Sequence, residues 1–170
     1  MKAPIRPEIR QMGLNPIGEI AQLAWKVGGV TPLQYGEGDL ATPEFIREAA
    51  KHALDEGKTF YTYTNGIPEL RAALKTYTDR LYDVDIASER ISVPGSAMLA
   101  ITVTLQCLTQ TGDNIVIVSP IWTNIILAAA AAGVAVRFAP LTKDESGRWH
   151  FDLEAVAAKC DARTKAIFIA

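Results

Sequence analysis

Histidine, cysteine and unbalanced charge are all scarce in this 170-residue chain, which has two histidines, two cysteines and a formal net charge of -2 at pH 7. The near-neutral balance comes without any block of like charges, so nothing attracts phosphodiester backbones or anionic lipid, and neither nucleic acid nor membrane is expected as a partner. The opening MKAPIRPEIR interleaves charge and proline, and the alanine run after Trp122 is too short to span a bilayer, so the expected compartment is the cytoplasm. His52 and His150 lie far apart and lack metal-ligand spacing; they read as a helix-surface residue and a loop residue. Cys107 and Cys160 sit within apolar helical patterns and are predicted to be reduced core thiols. A GxGxxG after a strand, a GxxxxGK[ST] and a nucleophile elbow are all missing, which removes support for dinucleotide, nucleoside triphosphate and serine-hydrolase chemistry.

What remains is a chain of globular composition, 49% hydrophobic and 21% charged, with regular punctuation. Helices are predicted over residues 17–28, from Thr42 as N-cap with Pro43 in the first position to Gly57, and from Ile67-Pro68 through Leu81. From Ile91 short runs rich in valine and isoleucine alternate with helical stretches. Strands are predicted at 91–93, 114–119, 134–141 and 165–170, and helices at about 96–110, 123–132 and 152–160, with a polar turn at KDESG. Asp39, Asp113 and Asp144 read as turn or cap formers. Apolar strands alternating with helices imply an α/β fold with a mostly parallel sheet covered on both faces.

Two junctions after strands offer chemistry. At Val93-Pro94-Gly95-Ser96-Ala97-Met98 a strand passes through a glycine turn into a helix start, where free N–H groups and the helix dipole suit a phosphate; by itself this is a weak signal, since many strand-to-helix turns carry Gly-Ser for purely conformational reasons. Trp122 follows the 114–119 strand, where an open sheet presents its crevice, and reads either as a stacking surface for a planar ring or as core packing. The glycine and acid run Tyr35-Gly36-Glu37-Gly38-Asp39 offers backbone donors to a substrate carboxylate, or only a turn.

Taken in order, YGEGDLATPEFIREAA, GKTFYTYTNGIPELRAAL, ISVPGSAMLAI, GDNIVIVSPIWTN and FDLEAVAAKCDARTKAIFIA resemble successive blocks of the fold-type I, aspartate aminotransferase-like enzymes that depend on pyridoxal 5'-phosphate. The resemblance runs from about residue 12 to the end. It implies that Gly95, Ser96 and Ala97 embrace the cofactor phosphate, that Trp122 stacks on the pyridine ring, and that Gly36 meets the substrate carboxylate. Tyr61 matches the tyrosine that reaches the phosphate of a neighbouring subunit, and the amino-terminal helix resembles the arm that packs on that subunit, so a homodimer is implied. Residues 1–60 would then form the arm and part of a small domain, and 61–170 the first part of the large cofactor-binding domain. Two positions depart from the pattern: Pro94 replaces a glycine or alanine, and Met98 an often polar residue.

The Schiff-base lysine of this family would lie beyond Ala170, so no catalytic residue is assigned within the chain. The implied activity of the complete protein is transamination between an amino acid and a 2-oxo acid. A lyase or synthase on the same fold, or a non-catalytic ligand-sensing and dimerisation module, shares these blocks. The resemblance places the 91–93 strand at one sheet edge and the other three toward the opposite one, with further strands between. A chain ending at Ala170 is therefore expected to expose apolar faces and to be insoluble or molten when made alone.

Overall fold

The computed structural model describes residues 4–12 and 15–170. Along the chain the elements are α1 (Pro7–Gln11), α2 (Pro16–Val27), α3 (Glu44–Asp55), α4 (Pro68–Tyr82), a 3-10 turn at Ser88–Arg90, α5 (Ala97–Leu108), β1 (Asn114–Ser119), α6 (Asn124–Ala131), β2 (Ala135–Pro140), β3 (Thr142–Lys143), β4 (Trp149–His150), α7 (Leu153–Ala157) and β5 (Thr164–Phe168). They fall into two compact units, one running up to Gly28 and resuming over Gly95–Ala170, the other Gly29–Pro94.

The first unit is built on β1, the central strand of a three-stranded parallel sheet ordered β2-β1-β5. Its side chains alternate between two apolar layers, which is why its sequence reads as an unbroken NIVIVS run and not as apolar-polar alternation. Ile115 and Ile117 pack with Leu105 of α5 and with Ile125, Ala128 and Ala129 of α6. Val116 and Val118 pack on the other face with Ala139 of β2 and Val156 of α7. The sheet thus has helices on both faces. β3 and β4 form a small antiparallel hairpin around the KDESG turn, where Asp144 accepts hydrogen bonds from the N–H groups of Ser146 and Arg148 and from the Ser146 hydroxyl.

At the end of the sheet where the strands begin, Asp161 gathers the chain. Its carboxylate accepts from Asn114 Nδ2 at 3.0 Å, from the Arg163 N–H at 2.8 Å and from the Arg137 guanidinium. The Asn114 side-chain bond is the largest influence holding the Asp161 carboxyl well below its ordinary value, followed by the Arg163 N–H and then Arg137. Thr164 completes the set by donating to Asn114 Oδ1 at 2.7 Å.

The second unit contains α3 and α4, neither of which has a buried residue. The predicted strand at 91–93 is absent. The Ile91 carbonyl accepts from Arg71 Nε at 2.8 Å and the Val93 N–H donates to the Asn65 carbonyl at 3.0 Å, so groups that a ladder would engage are held by α4 and by the turn before it. Arg71 also donates to the Ser88 carbonyl. Gly66, at φ +98°, lies so close to Val93 that an added Cβ would stand 2.7 Å from the valine Cβ. Cys107 is exposed, which corrects the expectation of a core thiol there: α5 is apolar around most of its circumference, and its sequence does not reveal which side faces out. Cys160 is half-buried and packs against the cluster of Val116, Val118 and Val156. His52 is on the surface of α3 as expected, whereas His150 belongs to β4 and shares a 2.6 Å contact with Asp144.

Candidate functional site

Residues 109–113 turn α5 directly into β1, and the two elements share one core, so the helix runs back along the strand. The beginning of α5 therefore lies toward the end of the sheet where β1 finishes, the end at which Pro120–Thr123 leads into α6. Gly95, Ser96, Ala97 and Trp122 are thereby brought to the same rim, beyond the carboxyl ends of parallel strands, where open α/β sheets receive ligands.

The Gly95 turn is open. Gly95 has φ +87°, a conformation that favours glycine, and a Cβ added there would meet nothing within 4 Å. Ser96 is the N-cap of α5 in extended conformation, its Oγ accepting the Leu99 N–H at 3.2 Å and its carbonyl the Ala100 N–H at 3.0 Å. Among the described residues no acceptor meets the N–H groups of Ala97 or Met98. These are the orphan donors of a helix start, and the Gly95 turn, Ser96 and Ala97 are all exposed.

The electrostatics of the rim differ from those of four other helix starts. α2, α3, α4 and α7 each carry a glutamate in the first turn, respectively Glu19, Glu44, Glu69 and Glu154, which offsets the positive end of the dipole. α5 and α6 carry no acidic residue there. The start of α5, at the Gly95 turn, thus keeps its attraction for an anion.

Trp122 precedes α6 and the residue is 43% exposed. The loop that carries it is held at one end by the Ser119 carbonyl, which accepts the Leu141 N–H at 2.7 Å, and contains a cis peptide bond between Ser119 and Pro120. A donor-rich turn with open space before it, together with a partly exposed aromatic face at the same rim, fits a planar ring bearing a phosphate.

Tyr61 and Gly36 belong to the second unit. Tyr61 is fully exposed. Gly36 is exposed, with nothing within 4 Å of an added Cβ. No group of histidine, cysteine, aspartate and glutamate suited to a metal exists among the described residues, and none of their helices is long and apolar enough to cross a membrane. Sequence reasoning passed over Asn15, whose side chain donates to Asn124 Oδ1 at 2.6 Å beside the Trp122 loop. An asparagine before a proline at a helix start signals a cap, but not the second partner.

Residues 29–170 match the model of the aminotransferase class I and II family. The chain belongs to that family. Among curated relatives it is 35% identical over 132 residues to an aspartate aminotransferase of Pyrococcus horikoshii, covering 78% of this chain and 34% of that protein. To a probable aspartate aminotransferase of Methanocaldococcus jannaschii it is 36% identical, covering 79% and 35% respectively. The chain therefore spans about a third of the length of these relatives. Among solved structures, N-succinyldiaminopimelate aminotransferase from Mycobacterium tuberculosis superposes with a TM-score of 0.87 at 26% identity, covering 96% of this chain and 42% of that one. Aspartate aminotransferase from Thermus thermophilus with maleate superposes with a TM-score of 0.84 at 29% identity, covering 98% and 44%.

Proposed function

We propose that the complete protein transfers an amino group from an amino acid to a 2-oxo acid with pyridoxal 5'-phosphate as cofactor, and that the rim formed by Gly95, Ser96, Ala97 and Trp122 is the part of the cofactor site carried by this chain. The observation that supports this most is the pairing of an open, donor-rich turn with a partly exposed indole beyond the ends of β1 and β5, in a chain of the aminotransferase family. In this reading the Gly95 turn, the Ser96 hydroxyl and the Ala97 N–H receive the phosphate, and the positive end of α5 favours its charge. Trp122 lies against the ring and fixes its plane. The cofactor, when bound, supplies the electron sink that the reaction needs.

Gly36 would offer its backbone N–H to the substrate carboxylate, a feature common to all α-amino acids. Tyr61, fully exposed on its own chain, would reach the phosphate of a second copy, and the exposed apolar stripe of α2, with Ile20, Leu23 and Val27, supports a homodimer. The lysine that holds the cofactor is assigned to the part of the relatives' length that this chain does not span, so the 170-residue polypeptide alone is proposed to be inactive. A cytoplasmic location suits this chemistry.

The test is the visible absorption spectrum of the complete protein with pyridoxal 5'-phosphate, before and after an amino donor is added. A protein-bound chromophore that changes on adding the donor, and is restored by a 2-oxo acid, is the expected result. Absence of any bound chromophore would remove the proposal. Trp122→Ala should weaken cofactor binding about ten-fold, the upper range for an aromatic stacking pair.

A further inference from the structure

α6 has few means of its own to hold its position. Its eight residues, NIILAAAA, include no acid in the first turn and no base in the last. Thr123 at its N-cap position is in helical conformation and makes no capping bond, and the Thr123 hydroxyl is buried without a partner among the described residues. Yet the residue before Thr123 is Trp122, whose aim depends on where this helix begins.

Two fastenings on this helix come instead from the amino-terminal segment. Asn15 caps α2 by accepting the Ile17 N–H on Oδ1 at 3.0 Å, and that bond orients the amide so that Nδ2 donates to Asn124 Oδ1 at 2.6 Å. Asn124 is the first residue of α6. At the other end of the helix the Arg6 guanidinium donates to the Ala131 carbonyl, supplying the cation that the last turn lacks. Between these two points Met12 shares a groove with Ile126, Leu127 and Ala130. The segment is thus laid along α6 and fastened at both ends. The loop that bears Trp122 becomes a bridge between two fixed points: Ser119, gripped by Leu141, and Asn124, gripped by Asn15.

We infer that Asn15 is a positioning residue for Trp122, acting through Asn124, and that the amino-terminal segment is a strap that sets the ring-stacking face. This rests on the proposed cofactor site, and it separates the rim into two parts. The strap governs the aromatic part and leaves the phosphate turn at Gly95 alone.

The experiment uses the complete protein and three equilibrium readouts without turnover: affinity for pyridoxal 5'-phosphate, affinity for pyridoxal, which lacks the phosphate, and the competition constant of inorganic phosphate. Asn15→Ser keeps a good capping acceptor for α2 but cannot span to Asn124. It is expected to weaken pyridoxal and pyridoxal 5'-phosphate alike by about five-fold, the effect of one lost hydrogen bond, with the phosphate constant unchanged. Asn124→Ala should do the same, and the double variant should be no worse than either single one. Arg6→Ala, at the far end, should produce a smaller loss in the same direction. Parallel loss of phosphate binding would mean a general structural role and would overturn the inference, as would unchanged pyridoxal affinity in Asn15→Ser. Trp122→Ala tells the two levels apart. If it leaves pyridoxal binding intact, the stacking site itself has failed and the strap with it; if it weakens pyridoxal while Asn15→Ser does not, only the strap has failed.

Discussion

The unit around β1 and the unit spanning residues 29–94 are both made of amphipathic or apolar elements, yet they use them in opposite ways. In the first, Ile115, Val116 and Ile117 are at most 1% exposed, clamped between α5 and α6 on one face and α7 on the other. In the second, Phe45 of α3 is 74% exposed, and Leu70, Leu74, Tyr77 and Leu81 of α4 all remain more than a third open. The first unit is held by side-chain burial. The second is held by backbone: the Tyr63–Gly66 turn and Arg71 grip residues 88–93 through carbonyls and one N–H. An amphipathic pattern in the sequence therefore identifies a helix and its apolar face without saying that the chain itself covers that face.

The largest expected contrast is between core truncation and everything else. Ile117→Ala should cost about 3 kcal/mol, measured by denaturant titration, because β1 has no room to collapse around the lost atoms. A cost below about 1 kcal/mol would show that the β1 layers are loosely packed and would dissolve the comparison. Gly66→Ala should come next, at about 2 kcal/mol, since the added methyl meets Val93 and the positive φ is disfavoured for alanine. Hydrogen exchange at residues 88–93 should rise in the same variant. If it does not, the backbone grip is not what holds the second unit.

A smaller effect is set by pH. Asp161 and Asp144 both titrate below their ordinary value of 3.8 in the folded chain, Asp144 at about 2, where the Ser146 hydroxyl is the largest influence and His150 the next. A carboxyl depressed by folding contributes fully above its unfolded value and loses that contribution as pH falls through the folded one. The strand-end network and the hairpin should thus weaken progressively below about pH 4. Asp161→Asn should flatten the acid limb of a stability-pH curve; an unaltered limb would remove Asp161 from the account.

Much of the parallel sheet was legible because its strands are short, continuous and bounded by turns. The 114–119 run and the helices on either side of it fall within a residue or two of prediction. The helix predicted from a Thr42 cap begins at Glu44 with Pro43 as N-cap, a difference of one residue, and no side chain caps it. The run 91–93 was misleading: Ile-Ser-Val has strand propensity, but what its backbone bonds to is decided by Arg71, twenty residues earlier. The short helix Pro7–Gln11 and the β3-β4 hairpin were too brief to show a period. Within the candidate site, Gly95, Ser96, Ala97 and Trp122 could be read from local order along the chain. Asn15 could not, because its partner Asn124 is more than a hundred residues away.

The grip of Asn65, Gly66 and Arg71 on residues 88–93 also sets a rule for recombining this chain with its relatives. A chimaera joined anywhere between residues 72 and 87 would inherit the turn and the arginine from one parent and the gripped segment from the other. Gly66 tolerates no side chain against Val93, and Arg71 reads two carbonyls whose spacing depends on the 3-10 turn at Ser88–Arg90. Crossovers placed before Tyr63 or after Val93 keep the lock and its key in one piece, while the exposed faces of α3 and α4 leave wide freedom for exchange around them.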